Sequence, residues 1–172
     1  MNLIFERVLS NEDVKISEVY EIIKNSGENM FLNQGLIHWR TPYPIESIKK
    51  DCTEREVFLI KDLDKNKYVH TFQLKFTYFT SLHILFNKEN TKIIVANINK
   101  FATIPQLTGR GIGKQSMNFI ENYCRSKDVS KLCLDVYEKS EHAIRFYRNR
   151  GFRIIGKRPT KYFKVYFMEK QL

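Results

Sequence analysis

The sequence is short of the residues that build cross-linked or metal-stapled scaffolds. It has three cysteines in 172 residues, Cys52, Cys124 and Cys133, with no C-x-x-C pair. So odd and scattered a set excludes a disulfide framework or a zinc knuckle, and no metal site is expected. Cys124 and Cys133 lie in apolar patterns and read as small core residues. No apolar run reaches the roughly 18 residues of a membrane span. Acidic residues interrupt the start, "MNLIFERVLSNEDV", where a signal peptide would continue its apolar segment. A soluble, cytoplasmic protein without a membrane partner is the expectation. Low-complexity tracts, repeats and linker-like stretches are missing too, so residues 1–172 read as one domain around one core. Glycine is scarce: seven in the chain, yet Gly109, Gly111 and Gly113 fall at alternate positions.

The net charge of +10 is unevenly placed. Residues 1–99 hold 13 basic and 13 acidic side chains, whereas residues 100–172 hold 16 basic against 6 acidic. The second half therefore suits an anionic partner. A nucleic acid is conceivable, but the charges are scattered singly, no recognition motif accompanies them, and they surround the glycines. A small polyphosphate fits that distribution at least as well.

Hydrophobic periodicity predicts a strand at 2–9 and a helix at 10–27, followed by an aromatic loop at 28–44. Pro44 then suits the first turn of a short helix, "IESIKKDC". "EVFLIKDL" and "YVHTFQLKF" flank "DKNK" as a hairpin. "FTSLHILF" reads as an edge strand or an elaborated loop, and 91–104 is the longest strand candidate. A helix follows the glycines to residue 128, then a strand at 131–138 and a helix at 140–151. Ser140 is placed to cap that last helix and Gly151 to end it. "FRIIGKR" and "KYFKVYFMEK" close the chain as a hairpin. The order is that of a mixed α/β domain around a single sheet.

Glycines at a strand-to-helix junction invite a phosphate, because the first amides of a helix lack acceptors and the helix dipole favours an anion. Two familiar loops fail on spacing. A P-loop, G-x-x-x-x-G-K-[ST], needs glycine where Thr108 stands and Ser or Thr where Gln115 stands. A dinucleotide fingerprint, G-x-G-x-x-G, has its third glycine one residue later and opens a first βα unit. What remains is "ATIPQLTGRGIGKQSM" (102–117), joined through a helix and a strand to "LDVYEKSEHAIRFYRNRGF" (134–152). In this order and separation, the pair resembles the two signatures of the GNAT-type N-acetyltransferase superfamily.

That resemblance implies a central, mostly antiparallel sheet of six to seven strands, splayed at the cofactor site and flanked by about four helices. It implies acetyl-CoA as co-substrate and acetyl transfer to a primary amine by direct attack in a ternary complex. The pyrophosphate would sit on the backbone of Thr108, Gly109, Arg110, Gly111, Ile112, Gly113 and Lys114, with Arg110 and Lys114 as charge partners. The pantetheine arm would lie along a bulged strand at Phe101, Ala102 and Thr103, opposite "LCLDVY", with Ser140 and Phe146 joining the coenzyme contacts. Tyr147 occupies the place of the family's usual acid, which returns a proton to the departing thiolate; as a plain helix residue it would be a core aromatic beside Phe146. Two positions depart from the pattern. Thr108 stands where Arg or Gln is usual, and Ser140 stands where Asn is common; serine can still cap the helix and bond the arm. The family's C-terminal strands often pair between subunits, which makes a homodimer possible.

The base is harder to find. Some relatives carry Glu on the strand before the loop, but strand alternation here puts Asn97, Asn99, Phe101 and Thr103 on one face, with no carboxylate. Asparagine cannot take a proton, though it can orient an amine or a water. Glu28, Glu46, Glu54 and Glu56 are remote alternatives among which nothing chooses, and His38, His70, His83 and His142 call for the same reserve. The aromatic loop with His38, Trp39, Pro42, Tyr43 and Pro44 lies where such enzymes form the acceptor pocket, so His38, Trp39, Tyr43, Asn97 and Asn99 are candidate acceptor contacts. The same aromatics could instead only pack the first helices onto the sheet. A coenzyme-binding sensor without catalysis is the main rival reading. A nucleic-acid-binding domain is the lesser one.

Overall fold

The structure, a computed structural model, describes residues 1–81 and 91–172. His83 and the end of "FTSLHILF" lie outside the described residues. Seven strands, β1 (Leu3–Val8), β2 (Glu56–Asp62), β3 (Lys67–Ser81), β4 (Thr91–Thr103), β5 (Val129–Tyr137), β6 (Arg153–Pro159) and β7 (Lys164–Gln171), form one sheet. Four helices join them, α1 (Asp13–Gln34), α2 (Ile45–Glu54), α3 (Ile112–Arg125) and α4 (Glu141–Asn149). The spatial order is β1-β2-β3-β4-β5-β7-β6, antiparallel except where β4 runs parallel to β5. The mostly antiparallel sheet with four helices is the one the resemblance implied. Among the described residues, no helix is long and apolar enough to cross a membrane.

Register separates the two faces. Val57 lies opposite Gln73 and Phe58 opposite Phe72, so the two pairs point to opposite sides. On one side Gln73 meets Asp51 of α2, against which α1 packs. On the other, Phe58 and Phe72 stack at 5.0 Å, Phe119 of α3 meets both, and α4 brings Phe146 and Tyr147 against Phe101. The inward stripe of α3 is Ile112, Met117, Ile120 and Cys124, and Cys124 and Cys133 are buried as core residues.

The first helix is the main departure from the sequence reading. The apolar period weakens at Gly27, which suggested an end, yet α1 continues to Gln34 and stops at Gly35, in the left-handed conformation (φ 64°). The reason is tertiary. A Cβ on Gly27 would stand 2.5 Å from the Trp39 ring, so this glycine lets the indole lie directly on the helix. The expected loop therefore reduces to 35–44, with a single 3-10 turn at Ile37–Trp39.

The second departure is in β4. Gln73 faces Asn99 and Thr71 faces Ala102, so three residues of β4 span what two of β3 span. The extra residue is Lys100, whose φ of 46° makes the bulge. Side-chain parity flips there. Leu74 faces Ile98 and His70 faces Thr103, on one side of the sheet, while Asn99 lies with Gln73 on the other. Asn97 and Asn99 therefore do not share a face with Phe101 and Thr103, as unbroken alternation would require.

Candidate active site

The bulge is where the sheet opens. β4 and β5 pair from Ile94 opposite Val129 to Ile98 opposite Leu134, and no further. Beyond that point Asp135, Val136 and Tyr137 pair only with β7, while β4 continues with β3. The result is a wedge between two parallel strands, with backbone groups free along its edges.

The glycine turn closes one end. Its backbone bonding stops at Arg110 N–H to Leu107 O (3.2 Å) and resumes at Gln115 N–H to Gly111 O (3.1 Å). Among the described residues, the amides of Gly111, Ile112, Gly113 and Lys114 thus have no backbone acceptor. Gly111 caps α3 at φ 85° and Gly109 precedes it at φ 79°, conformations that cost a residue with a Cβ. Arg110 and Lys114 are exposed and without an ion-pair partner among the described residues. Thr108 is exposed at the lip, and Phe101, Gly113 and Phe146 pack together beneath the turn. These features fit a diphosphate on the turn and an extended arm in the wedge.

A cleft of about 490 Å³ follows the wedge and runs on toward α1. It brings together Phe101, Thr108, Ser140 and Tyr147 with the aromatic-loop residues His38, Trp39 and Tyr43, and with Asn99. Asn97 is absent from it, because its stretch of β4 is still paired with β5. Ala102 is buried and Thr103 bonds inward, its Oγ1 2.7 Å from Nδ1 of the buried His70. Ser140 is the residue before α4, but its hydroxyl makes no capping bond; it is buried against the cleft instead.

Tyr147 sits on the inner face of α4 between Phe101, Phe146 and Phe152. Burial pushes its phenol well above the usual value of about 10, so it stays protonated at neutral pH. His38 lies across the cleft against Tyr137 (4.6 Å between rings), Trp39 and Phe163. Burial pushes its imidazole down to about 4, and its buried Nδ1 has no partner among the described residues. Trp39, seated on Gly27, both packs α1 and walls the cleft.

None of the candidate glutamates reaches this space. Glu56 takes the Tyr123 hydroxyl (2.6 Å) and pairs with Arg7 and Lys127; Glu46 and Glu54 are exposed on α2; Glu28 lines a separate hollow along α1. The carboxylate the sequence left unremarked is Asp51. It is buried behind the cleft wall, where it meets Lys100, Gln73 Nε2 (3.0 Å) and Arg55 Nε (3.1 Å). Lys100 Nζ also lies 4.5 Å from the centre of the Tyr43 ring. Only the i,i+4 spacing of Asp51 and Arg55 is local; the rest of the group joins α2 to β3 and to the bulge of β4.

This architecture recurs among solved structures. PaiA N-acetyltransferase from Thermoplasma acidophilum, in complex with coenzyme A, superposes with a TM-score of 0.71 at 16% identity, covering 100% of each chain. The ribosomal-protein-S18-alanine N-acetyltransferase of Escherichia coli gives 0.70 at 14% identity, over 99% of this chain and 94% of that one. A GNAT family acetyltransferase from Elizabethkingia anophelis with acetyl-CoA bound gives 0.70 at 15%, over 99% of both. No curated protein matches the chain in sequence. At such identities the superpositions speak for the fold alone. Residues 29–152, however, match the acetyltransferase (GNAT) family model, a span that holds both signatures, the bulge and the wedge. The chain belongs to the acetyltransferase (GNAT) family, the acetyl-CoA-dependent N-acetyltransferases.

Proposed function

We propose that this protein acetylates a primary amine held in the aromatic half of the cleft, by direct attack in a ternary complex. The observation that carries the reading is the parting of β4 from β5 beside a helix start with four unclaimed amides. Acetyl-CoA, when bound, supplies an activated acetyl thioester. Gly111 to Lys114 would hold its diphosphate through backbone N–H groups, with Arg110 and Lys114 adding charge. Free backbone along Phe101 to Thr103, with Ser140 and Phe146 beside it, would hold the arm as an added strand.

The attacking amine must be uncharged. The Asp51 carboxylate beside the bulge is held by Lys100 and Gln73, so the Asn99 amide and the uncharged His38 ring would orient the amine, and the aromatic wall disfavours the ammonium form. Tyr147 lines the cleft beside Phe101 and would face the leaving sulfur. A phenol held above its usual pKa is a poor permanent donor to a thiolate, whose conjugate acid is near 8.5. Its part would be to donate a hydrogen bond to the sulfur as negative charge develops there; the proton lost by the acylated nitrogen passes to solvent, and solvent returns one to the released thiolate. No acyl-enzyme is needed, since burial raises the thiols of Cys52, Cys124 and Cys133 and none of them lines the cleft. The three unpaired thiols support a reducing, cytoplasmic setting. A homodimer would pair along β6, the sheet edge.

The test is calorimetry with acetyl-CoA, followed by thiol release over a panel of amines. Binding with turnover supports the reading. Tight binding without turnover of any amine would favour the sensor, and salt-steep binding of nucleic acid with no coenzyme affinity would favour the remaining rival.

A further inference from the structure

The charge of the acceptor half is set by three residues around one carboxylate. Lys100 and Arg55 approach the two oxygens of Asp51, so two cations share one anion and the group carries a net positive charge. Their side chains are 11% and 22% exposed, and that of Asp51 is 10% exposed. Lys100 is spent, with its ammonium on Asp51 and over the Tyr43 ring. Arg55 is not. Only its Nε faces Asp51, off the hydrogen-bond direction, and its terminal nitrogens have no protein acceptor among the described residues.

Arg55 and Lys100 both line the cleft. Among the described residues, the only carboxylate in that lining is Asp135, which Arg158 already pairs. The two cations also lie on the Gln73 side of the sheet, whereas the glycine turn packs on the Phe101 side. They are therefore not part of the diphosphate site.

We propose that the acceptor is a small amine bearing a carboxylate, which the free fork of the Arg55 guanidinium receives while its amine points to the wedge. The proposal rests on the acetyltransferase reading and names the substrate class of that same site. A planar guanidinium fork matches a carboxylate in two parallel bonds. A single uncompensated positive charge matches a monoanion. A polyamine or an amino-sugar polycation would instead meet two cations and find no free anion, at a desolvation cost that nothing offsets.

The experiment is a thiol-release assay with acetyl-CoA and each of the common L-amino acids beside its C-terminal amide, with spermidine, kanamycin and phosphoethanolamine as contrasts. The best acceptor should be an acid, used with a kcat/KM about 10- to 100-fold above its own amide, the range of one charge-assisted pair. Arg55→Gln should erase the preference, mainly through KM, so that acid and amide are used alike. Its coenzyme affinity, measured by calorimetry, should stay within about twofold of the parent, which separates a lost contact from a lost fold. Equal use of acid and amide by the parent, an unchanged preference in Arg55→Gln, or a preferred spermidine, kanamycin or phosphoethanolamine would overturn the proposal. Acetylation of spermidine alone would do so while leaving the acetyltransferase reading intact; failure to bind acetyl-CoA would remove both. If coenzyme binds and no amine is consumed, thermal melting of the coenzyme-loaded protein decides: amino acids must stabilise it more than their amides, and equal shifts count against us.

Discussion

The two halves of the cleft are made of different materials. The half proposed for the coenzyme is backbone: amides at the start of α3 and strand edges left bare where β4 leaves β5. The acceptor half is side chain: Trp39 seated on Gly27, His38 among aromatic rings, and Lys100, Arg55 and Gln73 around Asp51. A backbone site depends on conformation and tolerates change in most side chains. A side-chain site depends on identity, so it is where a shared fold acquires its own specificity.

That contrast can be broken experimentally. The largest effect is expected from Asp51→Ala, which leaves the buried Lys100 ammonium and Gln73 amide without their partner and should cost about 3–5 kcal/mol of stability. The midpoint of urea unfolding reads it, and the folded fraction should still bind coenzyme. Loss of coenzyme affinity in proportion would show that the halves are one unit. Gly111→Val strikes the other half. A Cβ there meets no heavy atom within 4 Å, but a β-branched residue at φ 85° is strained by about 1–3 kcal/mol. Together with misdirected amides, that should weaken coenzyme binding by about 100-fold in calorimetry, with the fold retained.

Tyr147→Phe removes one hydroxyl at the junction of the halves. Coenzyme affinity should hold while kcat falls by about 100-fold, the usual cost of a lost transition-state donor. A Phe variant as fast as the parent would remove Tyr147 from the chemistry. Gly27→Ala should cost about 1–3 kcal/mol, because its methyl would stand 2.5 Å from Trp39. The displaced indole should raise the acceptor KM and leave coenzyme affinity alone. A further effect is in pH. His38 and His70 titrate near 4 and 3 when folded because burial disfavours their charge, against about 6.5 when unfolded. The unfolded chain then binds more protons across that interval, so their contribution is complete above pH 6.5 and fades as pH falls toward 4. A urea midpoint unchanged between pH 7 and pH 4.5 would contradict their burial.

What could be read early follows the same division. The strand–glycine–helix junction and the short helix ending at Gly151 were legible because glycine spacing and apolar periodicity are local. The full length of α1 was not, since only the distant Trp39 explains a glycine in mid-helix. Nor was the face of Phe101 and Thr103: one bulged residue, Lys100, inverts strand alternation, and nothing in "ANINKFAT" marks it. Glutamates were the sequence candidates for a base, while the carboxylate buried behind the cleft wall is Asp51, unremarkable among its neighbours in "IKKDCTE".

By itself the sequence determined the class of protein, the glycine turn before α3 and the order of elements, because each depends on residues within one or two turns of one another. Tertiary structure alone decided the insertion of β7 between β5 and β6, the parity of β4 and the charge of the acceptor wall. Those depend on contacts between residues tens of positions apart, and such contacts form only when the sheet and its helices close on each other.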